Sequence, residues 1–301
     1  MATDLERALA LKRRDGTPGR TSPRVLASSD GWTVADVVCT SGPQDRPYEE
    51  RHDRQAIAIV LAGSFQYRSS QGRDVMTPGS LMLGSPGQCF ECGHEHGEGD
   101  RCVSFWYAPE YFERLAFDAG VRGQLRFRAA RVPPVRSLSS LVARATAGVA
   151  GRADVAWAEI GAALAVRAIG LGALQSPRSG ACPPNTEARV TRVIRVIDRH
   201  PDASLTLEVL AREAGLSPFH FLRTFQRLTG VTPHQYLRRA RLREAARRLI
   251  AESGTVLDIA LDSGFGDVSN FNRAFRAEFG RRPQEFRRAG SVRLSPATER
   301  P

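Results

Sequence analysis

No stretch of this 301-residue chain approaches the roughly 18 consecutive apolar residues that a membrane span requires. A basic segment followed by an apolar core is also missing at the start, where the chain reads Met1-Ala2-Thr3-Asp4-Leu5-Glu6-Arg7, so no signal peptide is expected. The five cysteines are odd in number. With no secretion signal, they are expected as reduced thiols in a cytoplasm rather than as a disulfide framework. Lysine is nearly absent: among 43 Lys and Arg, Lys12 is the only lysine. The positive charge is therefore arginine charge. A net charge of +11 and a pI near 10.4 favour a phosphate-bearing partner, with affinity falling steeply as salt rises. Between Arg189 and Gly290, 19 Arg face 11 Asp and Glu, so most of the excess lies in the last third.

That third contains a repeat. Leu210-Ala211, Ala214-Gly215-Leu216-Ser217, Phe221, Arg223-Thr224-Phe225, Gly230 and Pro233 return as Ile259-Ala260, Ser263-Gly264-Phe265, Phe271, Arg273-Ala274-Phe275, Gly280 and Pro283. The offset is 49 through the glycine and 50 from Arg223/Arg273 onward, so one residue is gained at the turn. A repeat this regular is a duplicated structural unit. In the first copy Leu207, Leu210, Ala211 and Ala214 fall on one helical face. Gly215 and Gly264 mark a sharp turn suited to positive φ. Ser217-Pro218 then restarts a helix with a capping hydroxyl and a proline at its first position. Each copy therefore reads as a helix-turn-helix.

The outward face of each second helix is the one that meets a partner. It offers Phe219, His220, Leu222, Arg223, Gln226 and Arg227 in the first copy, and Asp267, Val268, Ser269, Asn272, Arg273 and Arg276 in the second. Arginine can pair both major-groove acceptors of guanine, Ser and Asn can bond base edges or phosphate, and Leu222 and Val268 can meet thymine methyl groups. Solvated faces of an ordinary helical domain are the bland alternative, and two copies in register weigh against it. Between the units, Pro233 to Ile250 carries Tyr236, Leu237, Ala240, Leu242, Ala245, Ala246 and Leu249 at helical spacing. A helix of about 18 residues spans roughly 27 Å. With the width of the units added, the two recognition helices are expected about one DNA turn, near 34 Å, apart.

This C-terminal third resembles the DNA-binding domain of the AraC/XylS family of bacterial transcription regulators. The resemblance rests above all on Asp258-Ile259-Ala260, Gly264-Phe265, Asn270-Phe271, Arg273-Ala274-Phe275, Phe279-Gly280, Arg282-Pro283 and Phe286-Arg287. It implies that the second helix of each unit reads bases, through His220, Leu222, Arg223, Val268, Ser269, Asn272 and Arg273.

The first half has a different texture. Residues 1–30, mixed, basic and rich in Ser, Pro and Gly, read as a loosely ordered N-terminus. From 31 to 108, short apolar runs (Thr33–Val38, Ala56–Leu61, Phe65–Tyr67, Ser80–Leu83, Val103–Tyr107) alternate with Gly and Pro turns, clearest at Ala62-Gly63-Ser64 and Thr77-Pro78-Gly79. Such punctuation predicts a small antiparallel barrel or double-sheet roll. This stretch resembles the cupin-like sensing domain that many regulators of the family carry. Residues 109–175 turn helical, with Tyr111, Phe112, Leu115 and Ala116, then Leu138, Leu141 and Val142, then a longer stripe of Trp157, Ile160, Gly161, Leu164, Ala165 and Ala168. Such a stripe most often packs on its own domain. The resemblance implies dimerisation through residues 153–174. Residues 176–187 read as a linker, 188–290 as the tandem helix-turn-helix domain and 291–301 as a tail. The expected fold class is α+β multidomain, a cupin-like barrel with helices followed by an all-α domain.

Within the predicted barrel lies Cys89-Phe90-Glu91-Cys92-Gly93-His94-Glu95-His96-Gly97-Glu98-Gly99-Asp100-Arg101-Cys102. In an extended strand Cys92, His94 and His96 point to one side, and Cys102 can fold back toward them. Two thiolates with two imidazoles suit Zn²⁺ or a softer ion such as Cu(I). His52 lies roughly where cupins place a first ligand. Three readings stay open: a metal site, a thiol switch between Cys92 and Cys102, or buried cysteines beside a solvated loop. Cys39 and Cys182 read as incidental.

These observations predict a cytoplasmic transcription regulator rather than an enzyme, more often activating than repressing by the family's habit. Its expected partners are double-stranded DNA, RNA polymerase, a second copy in a homodimer and an effector of unknown kind (small molecule, metal or redox), with no membrane. The rival enzyme is an iron oxygenase using His94, His96 and Glu98 or Glu91, which the adjacent cysteines disfavour. A non-specific architectural DNA-binding protein would need charge alone and no N-terminal barrel.

Overall fold

The computed structural model describes residues 4–122, 125–151, 155–174 and 184–291. Its first half is built on two antiparallel sheets. The strands are β1 (Thr21–Ser29), β2 (Trp32–Cys39), β3 (Glu49–Arg51), β4 (Gln55–Gly63), β5 (Phe65–Ser69), β6 (Gly72–Met76), β7 (Leu81–Gly84), β8 (Cys89–Gly93), β9 (Asp100–Tyr107) and β10 (Arg131–Val132). One sheet has the order β1-β2-β9-β4-β7-β10 and the other β3-β8-β5-β6. Neither closes on itself among the described residues, so the two-sheet form stands in place of the expected barrel.

Side-chain alternation divides the core. Along β4, Ile57 and Ile59 face the helices, and Ala58 and Val60 face the second sheet, where they meet Phe65, Tyr67, Met76 and Cys102. On the helix side lie α2 (Pro109–Asp118), α3 (Ser139–Val149) and α4 (Trp157–Leu174). Ile160, Leu164, Ala165 and Ala168 of α4 are buried in this same core with Phe105 and Tyr107. The stripe assigned to dimerisation is thus spent on its own domain, because those residues cover the apolar face of the large sheet.

From Asp4 onward the N-terminal segment is not loose. The segment Asp4–Asp15 forms helix α1, with Leu5 and Leu9 buried, and β1 begins at Thr21. An amphipathic signal of two leucines is slight. β1 is an edge strand, largely exposed and including Pro23, that joins β2 by backbone pairing and so needs no apolar alternation. The segment read as a linker lies outside the described residues over 176–183, as does Cys182. From Pro184 the chain is helical in α5 (Pro184–Arg199), so residues 184–187 belong to its first turn.

Among the described residues of the last third, the only regular elements are helices: α5, α6 (Leu207–Ala214), α7 (Pro218–Thr229), α8 (Pro233–Ala251), α9 (Val256–Asp262), α10 (Val268–Phe279) and α11 (Pro283–Ser291). It has two cores. α5 covers the first unit with Val190, Val193, Ile194 and Ile197 against Phe221, Phe225 and Tyr236. The second gathers Leu242, Leu249, Ile259, Phe271, Phe275 and Phe279, with Phe286 of α11 packed on it. α8 contributes to both, so it fixes one unit against the other.

Candidate nucleic-acid interface and a buried thiol cluster

The two helix-turn-helix units are built by the same local chemistry. Thr206 and Thr255 cap α6 and α9 through bonds to the amides of Val209 and Asp258. Gly215 (φ +62°) and Gly264 (φ +84°) take the left-handed turn. The amides of Leu216 and Phe265 then reach back to Ala211 and Ala260. Ser217 caps α7, and Asp267 caps α10 by accepting from the Asn270 amide at 2.7 Å. The residue gained in the second turn is therefore Gly266, between Phe265 and the cap. Each recognition helix ends on a left-handed glycine, Gly230 or Gly280.

Rotation about each recognition helix sorts its residues. Phe221, Phe225, Phe271 and Phe275 are wholly buried. Phe219, His220, Arg223, Gln226 and Arg227 are exposed on α7, and Asp267, Ser269, Asn272, Arg273 and Arg276 are exposed at α10. Leu222 and Val268 are half-buried at the margin. The Arg223 guanidinium lies over the Phe219 ring, 5.6 Å from its centroid, which steadies its direction. Asp267 is occupied as a cap, so its carboxylate holds up the helix.

The N-terminal half grips the far ends of both recognition helices. Buried Arg131 donates to the Thr229 carbonyl at the end of α7 at 3.0 Å, while its Nε pairs with Asp74 at 3.1 Å. Glu278 of α10 is buried and accepts from Ser139 of α3 and from Arg239 Nε at 3.3 Å. Arg239 also donates to the Pro134 carbonyl at 2.6 Å. Between the halves lies a cleft of about 900 Å³ lined by α1, α3, α5 and α8. Asp198 lines it, accepting from the Tyr236 hydroxyl at 3.0 Å and pairing with Arg243 at 3.4 Å. Burial pushes its carboxyl up to about 6, against the opposing pull of Arg243 and Tyr236.

The cysteine- and histidine-rich stretch is assembled differently from the expectation. β8 ends at Gly93, and His94–Gly97 form a turn, so the alternation through His96 does not hold. His96 Nε2 stands 3.9 Å from Glu95 Oε2 and is not among the atoms that converge. Buried Cys39, His94 and Asp100 come together instead, with one ligating atom of each within 4.8 Å of the others. Antiparallel register explains it: Cys39 at the end of β2 sits opposite Asp100 at the start of β9. Sequence reasoning missed Cys39 because its partner lies 61 residues on and only strand pairing brings them together.

Asp100 is the centre of this group. It accepts from His94 Nε2 at 2.7 Å and from the Cys102 thiol at 3.3 Å. Burial alone would lower the His94 pKa, but hydrogen bonds and charge from Asp100 and Cys39 outweigh it and lift the imidazole to about 10. Burial, then the Asp100 charge, pushes both the Cys92 and Cys102 thiols up, the opposite of a reactive switch. His52 takes no part: its Nε2 meets the Tyr67 hydroxyl at 2.9 Å, its ring stacks on Phe90, and burial lowers it to about 4. The carboxylates of the rival iron site turn elsewhere, Glu91 to Arg68 at 2.6 Å and Glu98 to Arg13 at 3.2 Å.

Two capped helix-turn-helix units on one rigid helix, each presenting an exposed arginine-bearing face, define a DNA-binding protein. Residues 210–289 match the family described as a helix-turn-helix domain. The regulatory protein SoxS of Salmonella typhimurium is 36% identical over 98 residues, which cover 33% of this chain and 92% of SoxS. The HTH-type transcriptional activator RhaS of Salmonella agona is 29% identical over 261 residues, 81% of this chain and 89% of RhaS. Among solved structures, the DNA-binding domain of AdpA, the global transcriptional factor, in complex with a target DNA, covers 35% of this chain and 96% of its own, at 29% identity and a TM-score of 0.34. The class is that of sequence-specific DNA-binding transcription regulators. Within it, the chain belongs to the AraC/XylS family. Among the described residues, no helix is long and apolar enough to cross a membrane.

Proposed function

We infer that this regulator activates transcription from a promoter-proximal site and that its N-terminal two-sheet domain senses the signal that governs it. The observation that carries the sensing reading is the grip on both recognition helices, by Arg131 at Thr229 and by Ser139 at Glu278, with the Pro134 carbonyl holding Arg239 beside it. A signal that binds the domain differently in two arrangements shifts the balance between them through these contacts. The exposed faces of α7 and α10 support base reading by His220, Leu222 and Arg223 in one groove and by Val268, Ser269, Asn272 and Arg273 in the next. Phe219, Gln226, Arg227 and Arg276 flank them, with phosphate or sugar contacts as their task. α8, at 19 residues about 28 Å long, sets the units one DNA turn apart along one side of the duplex.

One protomer thus meets two successive major grooves without a palindrome. A homodimer would use surfaces other than the buried stripe of α4, and sedimentation of the full chain at tens of micromolar checks it. Activation is the habit named for the relative RhaS, and contact with RNA polymerase is the route by which a promoter-proximal protein would achieve it. The test is a reporter gene fused downstream of a selected binding site. Expression rising with the intact protein supports activation, and expression falling assigns repression.

A further inference from the structure

The turn between β8 and β9 carries side chains for which DNA reading has no use. Cys39, His94 and Asp100 converge there, all buried, from two paired strands and the turn itself. The His94 side chain is 2% exposed, and its Nδ1 is a buried nitrogen without a hydrogen-bond partner. His94 Nε2, 2.7 Å from Asp100 Oδ1, is the nitrogen that faces the cluster, and a cation there would take the place of the proton they share. A fourth donor stands beside them, the Cys102 sulfur at 3.3 Å from Asp100 Oδ2. Gly99 makes the turn possible: its φ is +66°, and a Cβ there would lie 2.8 Å from the Cys39 carbonyl oxygen.

Resting on the reading of this domain as the sensor, we propose that Cys39, His94 and Asp100, with Cys102 beside them, form a Zn²⁺ site whose occupancy sets how the DNA-binding domain is held. Sulfur, imidazole and carboxylate donors together are a zinc set. The carboxylate and the imidazole set it apart from the all-soft sites that select Cu(I), and the thiols set it apart from the oxygen cages of Mg²⁺ and Ca²⁺. The ligand-bearing turn is tied to α5 at two points. The His96 carbonyl accepts from Arg195 Nη1 at 3.2 Å. Glu95 pairs with Arg73 at 3.2 Å, and Arg73 pairs with the buried Glu187 of α5 at 3.1 Å. α5 in turn packs on the first recognition unit. Drawing His94 onto a metal moves the segment that carries both ties, so metal and DNA affect each other's affinity reciprocally.

The experiment uses the full chain, stripped by chelator and titrated with Zn²⁺ and with Co²⁺ as its spectroscopic stand-in. The expected result is one equivalent bound, with tetrahedral d–d absorption and a thiolate-to-cobalt charge-transfer band. Cys39→Ser, His94→Ala and Asp100→Asn each lower affinity at least about tenfold, and His96→Ala leaves it unchanged. Arg195→Ala keeps the metal and loses the metal's effect on DNA affinity. Circular dichroism of each variant separates lost ligation from lost folding. A wild type that takes up no Co²⁺ overturns the site, whatever its DNA binding. Equal metal affinity in the Cys39, His94 and Asp100 variants also overturns it. Metal bound as expected, with identical DNA affinity in its presence and absence, overturns the coupling. Failure to bind any DNA sequence selectively, metal or none, would instead strike the regulator reading.

Discussion

The two helix-turn-helix units share their interiors and differ on their faces. Phe221 and Phe225 correspond to Phe271 and Phe275, and Ala211 to Ala260, all buried at equivalent places. On their outer faces, Phe219, His220 and Leu222 of α7 stand against Ser269, Asn270 and Asn272 of α10, with Arg223 and Arg273 common to both. The shared set is what a helix-turn-helix needs in order to fold, and the differing set is what it presents to a partner. On the function proposed above, a duplicated fold with unlike faces would read two unlike stretches of DNA. Their supports differ as well. α5 covers the first unit, and α11 closes the second.

The largest expected effects test whether the interiors are equivalent. Phe221→Ala and Phe271→Ala should each cost about 3–5 kcal/mol of stability, since each removes a wholly buried ring. Urea denaturation that finds one of them nearly neutral would break the equivalence. A smaller contrast lies at the turns. A Cβ on Gly264 would stand 2.8 Å from the Asp202 carbonyl oxygen, whereas one on Gly215 meets nothing nearer than the Arg189 guanidinium at 3.8 Å. Both glycines have positive φ, so Gly215→Ala should cost about 1–2 kcal/mol in backbone strain and Gly264→Ala measurably more. Equal melting temperatures for the two variants would show that the Asp202 backbone gives way freely.

Of comparable size, but on binding rather than folding, Arg223→Ala and Arg273→Ala should each weaken specific DNA affinity by about 1–3 kcal/mol. Fluorescence anisotropy on specific and random duplexes checks it, and equal losses on both would reduce these arginines to phosphate contacts. The smallest effect concerns Asp198, beside the first unit only. Its pKa is raised by burial from 3.8 to about 6 in the folded state, so the folded chain holds that proton more tightly than the unfolded one. Its contribution to stability is then present in acid and lost as pH climbs from about 4 to about 6. Asp198→Asn removes this slope. Relative to the wild type, the variant's unfolding free energy from urea denaturation should gain, on the order of 1 kcal/mol, across that window. Parallel pH profiles would show that Asp198 titrates normally.

The readability of the sequence followed the same division. In the last third, repeat, caps and glycines are local signals, and local signals survive without coordinates, so both units and their exposed residues could be placed. The strands at Thr33–Val38, Ala56–Leu61 and Val103–Tyr107 were visible for the same reason, through apolar runs between turns. Helix α1 and strand β1 were not, because two leucines and a backbone-paired edge leave little pattern. The cluster was half visible. His94 and Cys102 drew notice by their neighbours, but Cys39 and Asp100 meet through strand register, a long-range fact. Extending the alternation to His96 failed because the strand stops at Gly93.

The most direct test of two units reading unlike DNA is a binding-site selection from random duplexes. It would be run with the wild type, Arg223→Ala and Arg273→Ala. The account predicts an asymmetric motif in two parts about one helical turn apart. Arg223→Ala should relax one part and Arg273→Ala the other. A palindromic motif, or one that both variants blur alike, would contradict it.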